Sequence, residues 1–163
     1  MQTPQEKHLG RYFWDWFGVA MWLGAWLRLD QFLDQTLIDD EWHAVHQIML
    51  SSPSRFMLSF GHADYSIPLT LLYWVQAQWF GLSEFGMRLP MMMAGLATVA
   101  LFPLALRKEL GDRTVIAFAF LLACSPVLIA FSRMARPYAL TLLFSFCAYA
   151  CLARAAGDRK SVV

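Results

Sequence analysis

Five apolar stretches, separated by short charged breaks, constrain this chain more than any single motif. They cover residues 12–29, 66–82, 91–106, 114–131 and 139–153. A helix needs roughly 20 apolar residues to cross the hydrocarbon core of a bilayer, and most of these stretches approach that length. Apolar residues make up 58% of the chain and charged residues 15%, whereas charged residues are about 25% of an ordinary soluble domain. The expected class is therefore a helical membrane protein.

The composition argues against soluble and nucleic-acid-binding proteins. Helices of a soluble bundle need polar faces, and these stretches are apolar all round. The formal net charge of +1 gives no reason to expect a nucleic acid partner. The three cysteines, Cys124, Cys147 and Cys151, lie inside apolar stretches without a metal-ligand spacing, which is typical of inert thiols.

The charges between the stretches predict how the chain crosses the membrane. Lys7 and Arg11 precede the first stretch, so the positive-inside rule places the N-terminus in the cytoplasm. Residues 30–65 carry six acidic residues and one arginine, and should face outward. The basic segment 107–113 should face the cytoplasm, which requires 66–82 to lie beside the membrane or re-enter it. If 66–82 crosses instead, the later basic segments face outward against the rule.

The predicted fold is all-α, a single polytopic membrane domain with about four spanning helices and with juxtamembrane helices in the first external loop. The predicted segments are a cytoplasmic tail at 1–11, a first membrane helix at 12–29, an external acidic loop at 30–90, three further membrane helices in 91–155 and a cytoplasmic end at 156–163.

An acidic cluster at 39–41 follows the first apolar stretch. Carboxylates beside a bilayer are costly to place and tend to serve chemistry or binding. Repulsion between Asp39, Asp40 and Glu41 can raise the pKa of one of them, which would suit a proton acceptor. Two alternatives remain open. Asp39 or Asp40 can cap a helix that begins near Glu41, and the spacing of Asp39, His43 and His46 suits a divalent cation.

Two further segments carry polar residues next to apolar stretches. Asp64 and His62 precede Pro68 and the stretch at 66–82, where Asp64 is either a binding residue or a helix cap. Arg133 and Arg136 are three residues apart, and guanidinium groups match the geometry of phosphate. Their alternative role is to snorkel from helix ends toward the membrane surface.

The order of these elements resembles the N-terminal part of the GT-C membrane glycosyltransferases, of the protein mannosyltransferase and aminoarabinose transferase type. The elements are Asp40-Glu41, the segment 64–69, a Gly-x-Ser-Glu-x-x-x-Arg-x-Pro turn at 81–90, Ser125-Pro126 and a Ser-x-x-Ala-Arg-x-Tyr-Ala-Leu element at 132–140. The resemblance runs from about residue 11 to residue 155.

The resemblance implies an enzyme that takes a sugar from a polyprenyl-phosphate carrier in the bilayer. It transfers the sugar, with inversion, to a glycan, lipid or protein acceptor on the external face of a bacterial inner membrane. Asp40 is the expected base, with Glu41 in support. The residues expected to bind substrate are His62, Asp64, Arg133, Arg136 and Tyr138. No resident cofactor follows from the resemblance, and a divalent cation is compatible with it.

The chain departs from the family pattern in three places. Ser66-Ile67-Pro68 stands where the family often has His-Pro-Pro or Glu-Lys-Pro, and Arg133-Met134 replaces the usual Gln-Glu. Family members also run to several hundred residues, so a fragment or one part of a split enzyme is expected. The alternative function is a non-catalytic membrane subunit or a small transporter. A transporter should carry charges inside its spanning helices, where only Asp15 and Arg28 are marginal examples.

Overall fold

The computed structural model describes residues 4–32, 34, 36–37, 39–58 and 66–160, and the side chains of these except 4–11, 39–40, 56 and 156–160. All regular structure in this part of the chain is α-helical, as the sequence predicts. The helices are α1 (Pro4–Leu29), α2 (Asp39–Leu50), α3 (Pro53–Leu58), α4 (Ile67–Trp79), α5 (Glu84–Leu110), α6 (Asp112–Cys124), α7 (Pro126–Arg133) and α8 (Tyr138–Lys160).

Two described helices have the length and hydropathy of a membrane span, α5 and the part of α8 at Tyr138–Ala155. Helices α6 and α7 together form a third candidate, bent by 54°. Helix α1 has 26 residues but is not among these candidates, whereas the sequence predicts about four spans. Its tryptophans, together with Asp15 and Arg28, make it less apolar than α5. The described residues therefore hold two or three candidate spans.

Helix α4 is too short to cross a bilayer. Its 13 residues extend about 20 Å, against a hydrocarbon core of about 30 Å. It packs instead on α2 and α3. Ser66 precedes α4 and Pro68 lies in its first turn, where a missing N–H costs nothing.

Helix α5 is the centre of the bundle and packs against α1, α6, α7 and α8. Two apolar clusters flank it. The first includes Val45 of α2, Tyr73 of α4 and Met91 of α5. The second joins α1 to α6 through Phe13 and Val115. Phe13 in the first half of α1 and Val115 near the start of α6 share this cluster, and a Cβ added to Gly24 near the end of α1 would lie 3.3 Å from the Ala123 Cβ near the end of α6. These two helices therefore run in parallel.

The corners of the bundle follow from local chemistry. Ser83 caps α5 by accepting a hydrogen bond from the Gly86 N–H at 3.1 Å. Gly111, with φ of 76°, ends α5 and turns the chain into α6, a conformation that favours glycine. Pro126 separates α6 from α7 because proline has no N–H to continue the helix.

Candidate active site

A buried carboxylate joins three separate segments at one end of the bundle. Glu41 in the first turn of α2 and Arg88 near the start of α5 are only 1% and 2% exposed. Arg88 donates from Nε to Glu41 Oε1 at 3.2 Å and from Nη2 to Oε2 at 2.8 Å. Glu41 Oε1 also accepts the backbone N–H of Ala135, in the connection between α7 and α8. Arg88 Nη2 additionally donates to the Thr36 carbonyl at 2.8 Å.

Helix α4 holds the turn that precedes Arg88. The Tyr73 hydroxyl donates to the Met87 carbonyl at 3.0 Å, and the Gln76 side-chain amide donates to the Gly86 carbonyl at 2.8 Å. Burial raises the pKa of Tyr73, and the Glu41 carboxylate raises it further. Tyr73 therefore remains a protonated donor at physiological pH. The start of α5, and with it Arg88, is fixed from outside its own helix.

A cavity of about 700 Å³ opens beside the Glu41–Arg88 pair. Its volume lies within the usual range of small-molecule sites. Its walls come from α1, the α1–α2 connection, α2, α5, α6, α7 and the start of the α7–α8 connection. The lining residues are Leu27, Asp34, Thr36, Glu41, Arg88, Cys124, Pro126, Ile129, Ala130, Arg133 and Met134.

The charges in this cavity divide into a satisfied pair and two further groups. Glu41 and Arg88 neutralise each other. Arg133 Nε is buried and has no hydrogen-bond partner in the described part of the chain. Asp34 lines the cavity from the α1–α2 connection and is exposed. The cavity thus combines one guanidinium group and one carboxylate with apolar walls, which suits a ligand that has an anionic group, hydroxyls and an apolar part.

A comparison with protein-family models gives a match. The model of the dolichyl-phosphate-mannose-protein mannosyltransferase family matches residues 67–162, more than half of the 163-residue chain. The chain belongs to this family. No curated protein and no solved structure gives a significant match. Membership confirms the resemblance to GT-C glycosyltransferases and implies an integral membrane protein that works with a lipid-linked sugar.

The family match covers part of the site of this mannosyltransferase-family chain. Arg88, Arg133 and Ala135 lie inside the matched region, whereas Glu41 lies before it. The ion pair between Glu41 and Arg88 therefore ties the preceding segment to the matched one.

The structure brings several predicted site residues to the same end of the bundle. Arg133 lines the cavity, and Glu41 lies at its wall. The Arg136 guanidinium lies 5.9 Å from the centre of the Tyr138 ring, which in turn is 4.8 Å from Phe131. The α7–α8 connection and its flanking helix ends contain Arg133, Arg136 and Tyr138, so the two arginines that the resemblance implies for phosphate binding are neighbours in space.

Other predicted residues lie outside the described part of the site. The Asp40 backbone belongs to the first turn of α2, directly before Glu41, but its side chain is outside the description. His62 and Asp64 lie in the undescribed segment 59–65. His46 stacks on the exposed Trp42 ring, with 6.1 Å between ring centres. No group of three His, Cys, Asp or Glu among the described side chains is arranged to hold a metal ion.

Sequence reasoning missed two arginines of this region. The motif at 81–90 suggests only a turn with an ion pair, yet Arg88 is the partner of Glu41 from 47 residues earlier. Arg28 lies in the last turn of α1, from which a long charged side chain can reach the membrane surface, yet it is fully buried. The position of Arg88 in a family motif was a usable signal. For Arg28 the only signal was the prolyl break at residue 126, which leaves carbonyls in need of a donor.

Proposed function

We propose that this protein transfers a sugar from a polyprenyl-phosphate carrier to an acceptor on the extracytoplasmic face of the membrane. The observation that supports the proposal most is the cavity in which Arg133 lies beside the Glu41–Arg88 pair. The apolar walls, which include Leu27 and Ile129, suit the isoprenoid next to the phosphate. The family membership supports a lipid-linked sugar as the donor.

Arg133 is proposed to bind the carrier phosphate. In a direct displacement the bond between the anomeric carbon and the phosphate oxygen breaks, and the carrier phosphate leaves with the electron pair. Negative charge therefore grows on the phosphate in the transition state. A positively charged group held in place in a partly dry cavity stabilises that charge more than it stabilises the ground state. Arg136 in the α7–α8 connection and Tyr138 at the start of α8 are proposed to support the phosphate site.

Asp40 is proposed as the base that activates the acceptor. Glu41 is occupied by Arg88 and by the Ala135 N–H, so its lone pairs are largely used. Of the two adjacent carboxylates, Asp40 is therefore the better candidate to take the acceptor proton. The acceptor oxygen then forms the new bond to the anomeric carbon as the bond to phosphate breaks, which inverts the configuration. His62 and Asp64 are proposed to help bind the acceptor, which is a glycan, lipid or protein.

The same geometry supports a proposed arrangement in the membrane. Glu41 and Arg133 lie at one end of the bundle, whereas Arg107 lies toward the other end beside Phe13 in the first half of α1. The positive-inside rule places the basic segment around Arg107 in the cytoplasm. We propose that the cavity then faces outward and that α4 lies beside the membrane without crossing it, in the bacterial inner membrane that the family resemblance implies.

The role of Arg133 can be tested by binding. The purified protein in lipid nanodiscs would be titrated with polyprenyl phosphate, and Arg133→Gln compared with Arg113→Gln, an exposed arginine outside the cavity. Loss of one charge-assisted contact should weaken binding about tenfold in Arg133→Gln, with Arg113→Gln unchanged. Equal affinities for the two variants would contradict the phosphate role.

The role of Asp40 can be tested by transfer from a radiolabelled polyprenyl-phosphate sugar. Under conditions in which wild type transfers the sugar, the Asp40→Asn variant should show no transfer. Its membrane insertion and polyprenyl-phosphate binding should stay normal. Retained turnover in Asp40→Asn would show that another group takes the proton. Binding measured on the same samples separates a lost base from a lost fold.

The side of the membrane can be tested by cysteine labelling in intact cells. A cysteine replaces Arg136 in a background without the three native cysteines, and a second variant carries it at Lys108 as the control. A membrane-impermeant reagent should label position 136 from outside and position 108 only after lysis. Protection of position 136 from outside would contradict an extracytoplasmic site.

The transporter alternative gains little from the buried Arg28. A transport pathway needs charged groups that face a route across the membrane. The described partners of Arg28 are three backbone carbonyls and the Ser132 hydroxyl, all within the helix packing. This arrangement is that of a structural contact between helices.

A further inference from the structure

We propose that Arg28 is a positioning residue for the phosphate site: it holds the two sides of the α6–α7 break together and so keeps Arg133 at the wall of the cavity. This inference rests on the proposed function, because it assigns Arg133 to the carrier phosphate. It concerns a residue that touches neither the cavity nor its ligand and acts through the helix that carries Arg133.

All three nitrogens of the Arg28 guanidinium group donate hydrogen bonds within the protein. The side chain is fully buried, at 0% exposure. Nη1 donates to the carbonyls of Gly24 at 3.0 Å and Ala123 at 3.1 Å, and Nη2 donates to the carbonyl of Leu122 at 3.3 Å. Nε donates to the Ser132 hydroxyl at 3.2 Å. None of these partners is a carboxylate, so the charge is balanced by backbone dipoles.

The break at Pro126 explains why an arginine is needed there. In an unbroken helix, the carbonyl of Leu122 would accept the N–H four residues later, but residue 126 is proline and has none. The last carbonyls of α6 also carry the partial negative charge of a helix C-terminus. Arg28 supplies donors to two of them. The planar guanidinium reaches several acceptors at once, which a lysine ammonium cannot do with the same geometry.

Arg28 also contacts the far end of α7. Ser132, its partner there, is buried, and its hydroxyl donates to the Leu128 carbonyl at 2.6 Å. The next residue is Arg133. Gly95 of α5 makes room for this contact, since a Cβ at that position would lie 2.0 Å from Ser132 Oγ. Arg28 therefore forms hydrogen bonds both to the last turn of α7 and to the end of α6.

The consequence concerns one wall of the cavity. Helix α7 contributes Pro126, Ile129, Ala130 and Arg133 to the lining. If Arg28 no longer joins Leu122 and Ser132, the 54° bend between α6 and α7 loses the hydrogen bonds that connect its two sides. Arg133 then samples more positions, and the preorganisation that favours phosphate binding is reduced.

The test uses the protein in lipid nanodiscs and two measurements. One is the affinity for polyprenyl phosphate, and the other is amide hydrogen exchange over 127–133. The variants are Arg28→Gln, Arg28→Lys and Arg107→Gln. The last is the matched control, because it is the same substitution at the opposite end of the bundle.

Arg28→Gln should speed exchange in α7 and weaken binding about tenfold, because Arg133 is then less preorganised for the phosphate. Arg28→Lys should give α7 exchange rates and affinities between those of wild type and Arg28→Gln. It replaces Arg28→Gln in the test if that variant does not insert into the membrane. Arg107→Gln should leave both α7 exchange and affinity unchanged. Combining Arg28→Gln with Arg133→Gln should weaken binding little beyond Arg133→Gln alone, because Arg28 acts through Arg133.

Three results would overturn the proposal. The first is unchanged α7 exchange and affinity in Arg28→Gln. The second is an equal loss in Arg28→Gln and Arg107→Gln, which would indicate general destabilisation. The third is a fully additive loss in the Arg28→Gln, Arg133→Gln double variant. If wild type itself does not bind polyprenyl phosphate, the proposed function fails, and exchange in α7 still decides whether Arg28 holds this helix.

Discussion

Both ends of the bundle contain an arginine paired with a carboxylate, but the two pairs differ in how they are built. At the cavity end, Arg88 and Glu41 are 47 residues apart, and their side chains are 2% and 0% exposed. At the opposite end, Arg107 and Asp112 are five residues apart, and their side chains are 29% and 30% exposed. The first pair connects α2 to α5, whereas the second only spans the corner between α5 and α6.

The difference shows where the fold depends on long-range polar contacts. Glu41 also accepts the Ala135 N–H, so one carboxylate holds three chain segments beside the cavity. Arg107 rests on the Phe13 ring, with 3.6 Å to the ring centre, but its carboxylate partner is local. A buried pair fixes geometry at the cost of desolvating two charges. The pair at the end with the candidate site is buried and carries this cost, whereas the pair at the other end remains partly exposed and largely avoids it.

The largest effect should come from breaking the buried pair. Arg88→Met leaves the Glu41 carboxylate buried without its partner, so the free energy of unfolding should fall by about 3–5 kcal/mol. Denaturant titration in detergent micelles would measure this loss. The double variant Glu41→Met, Arg88→Met is the matched control and should lose less than Arg88→Met alone, because no uncompensated charge remains. A double variant as unstable as the single one would show that the pair contributes more than charge balance.

A smaller but clear effect should come from the close approach of α5 and α7. A Cβ at Gly95 would lie 2.0 Å from Ser132 Oγ, so Gly95→Ala must displace α7 and should lower the free energy of unfolding by about 1–3 kcal/mol. Gly18→Ala is the control, because nothing lies within 4 Å of a Cβ there. Alanine in that helix should be neutral or stabilising by roughly 0.5–1 kcal/mol. Equal effects at the two glycines would argue against tight packing at the cavity end.

The contact between α4 and α5 should contribute still less to the free energy of unfolding. Tyr73→Phe removes one donor from the Met87 carbonyl and should lower the free energy of unfolding by about 1–2 kcal/mol. Tyr149→Phe, on the exposed face of α8, should change it little. Thermal unfolding of both variants in the same detergent would compare them. A null result for Tyr73→Phe would mean that water or another donor replaces its hydroxyl.

The contrast between the two ends also explains what the sequence could predict. The periodic apolar stretches predicted an all-α membrane protein, and the helices confirm it. The turn between α5 and α6 at Gly111 can be predicted from the sequence, because the glycine and the charged residues that form it are only a few positions apart. Short-range signals of this kind depend on neighbouring positions, which a sequence displays directly.

The cavity end could not be derived in the same way. Arg88 was visible as part of a motif, but no local rule pairs it with Glu41 across 47 residues. In the sequence, Arg28 is only a charged residue near the end of a helix. The structure shows that it binds carbonyls of α6 and of its own helix. Such partners are known only once the helices are packed. The ordered motifs identified the family, but not the contacts that hold the residues beside the cavity together.

The smallest effect should come from the exposed pair, and salt should distinguish it from the buried one. Asp112→Asn removes a partly exposed partner of Arg107 and should lower the free energy of unfolding by less than about 1 kcal/mol. Dissolved salt screens the interaction between solvent-exposed charges, so this loss should shrink further between low and high salt. The loss in Arg88→Met should persist, because ions do not enter the packed contact. Denaturant titrations of both variants at two salt concentrations would measure the contrast. An Arg88→Met loss that shrinks in salt would mean that water and ions reach Glu41, so that the cavity end is held no more rigidly than the corner at Gly111.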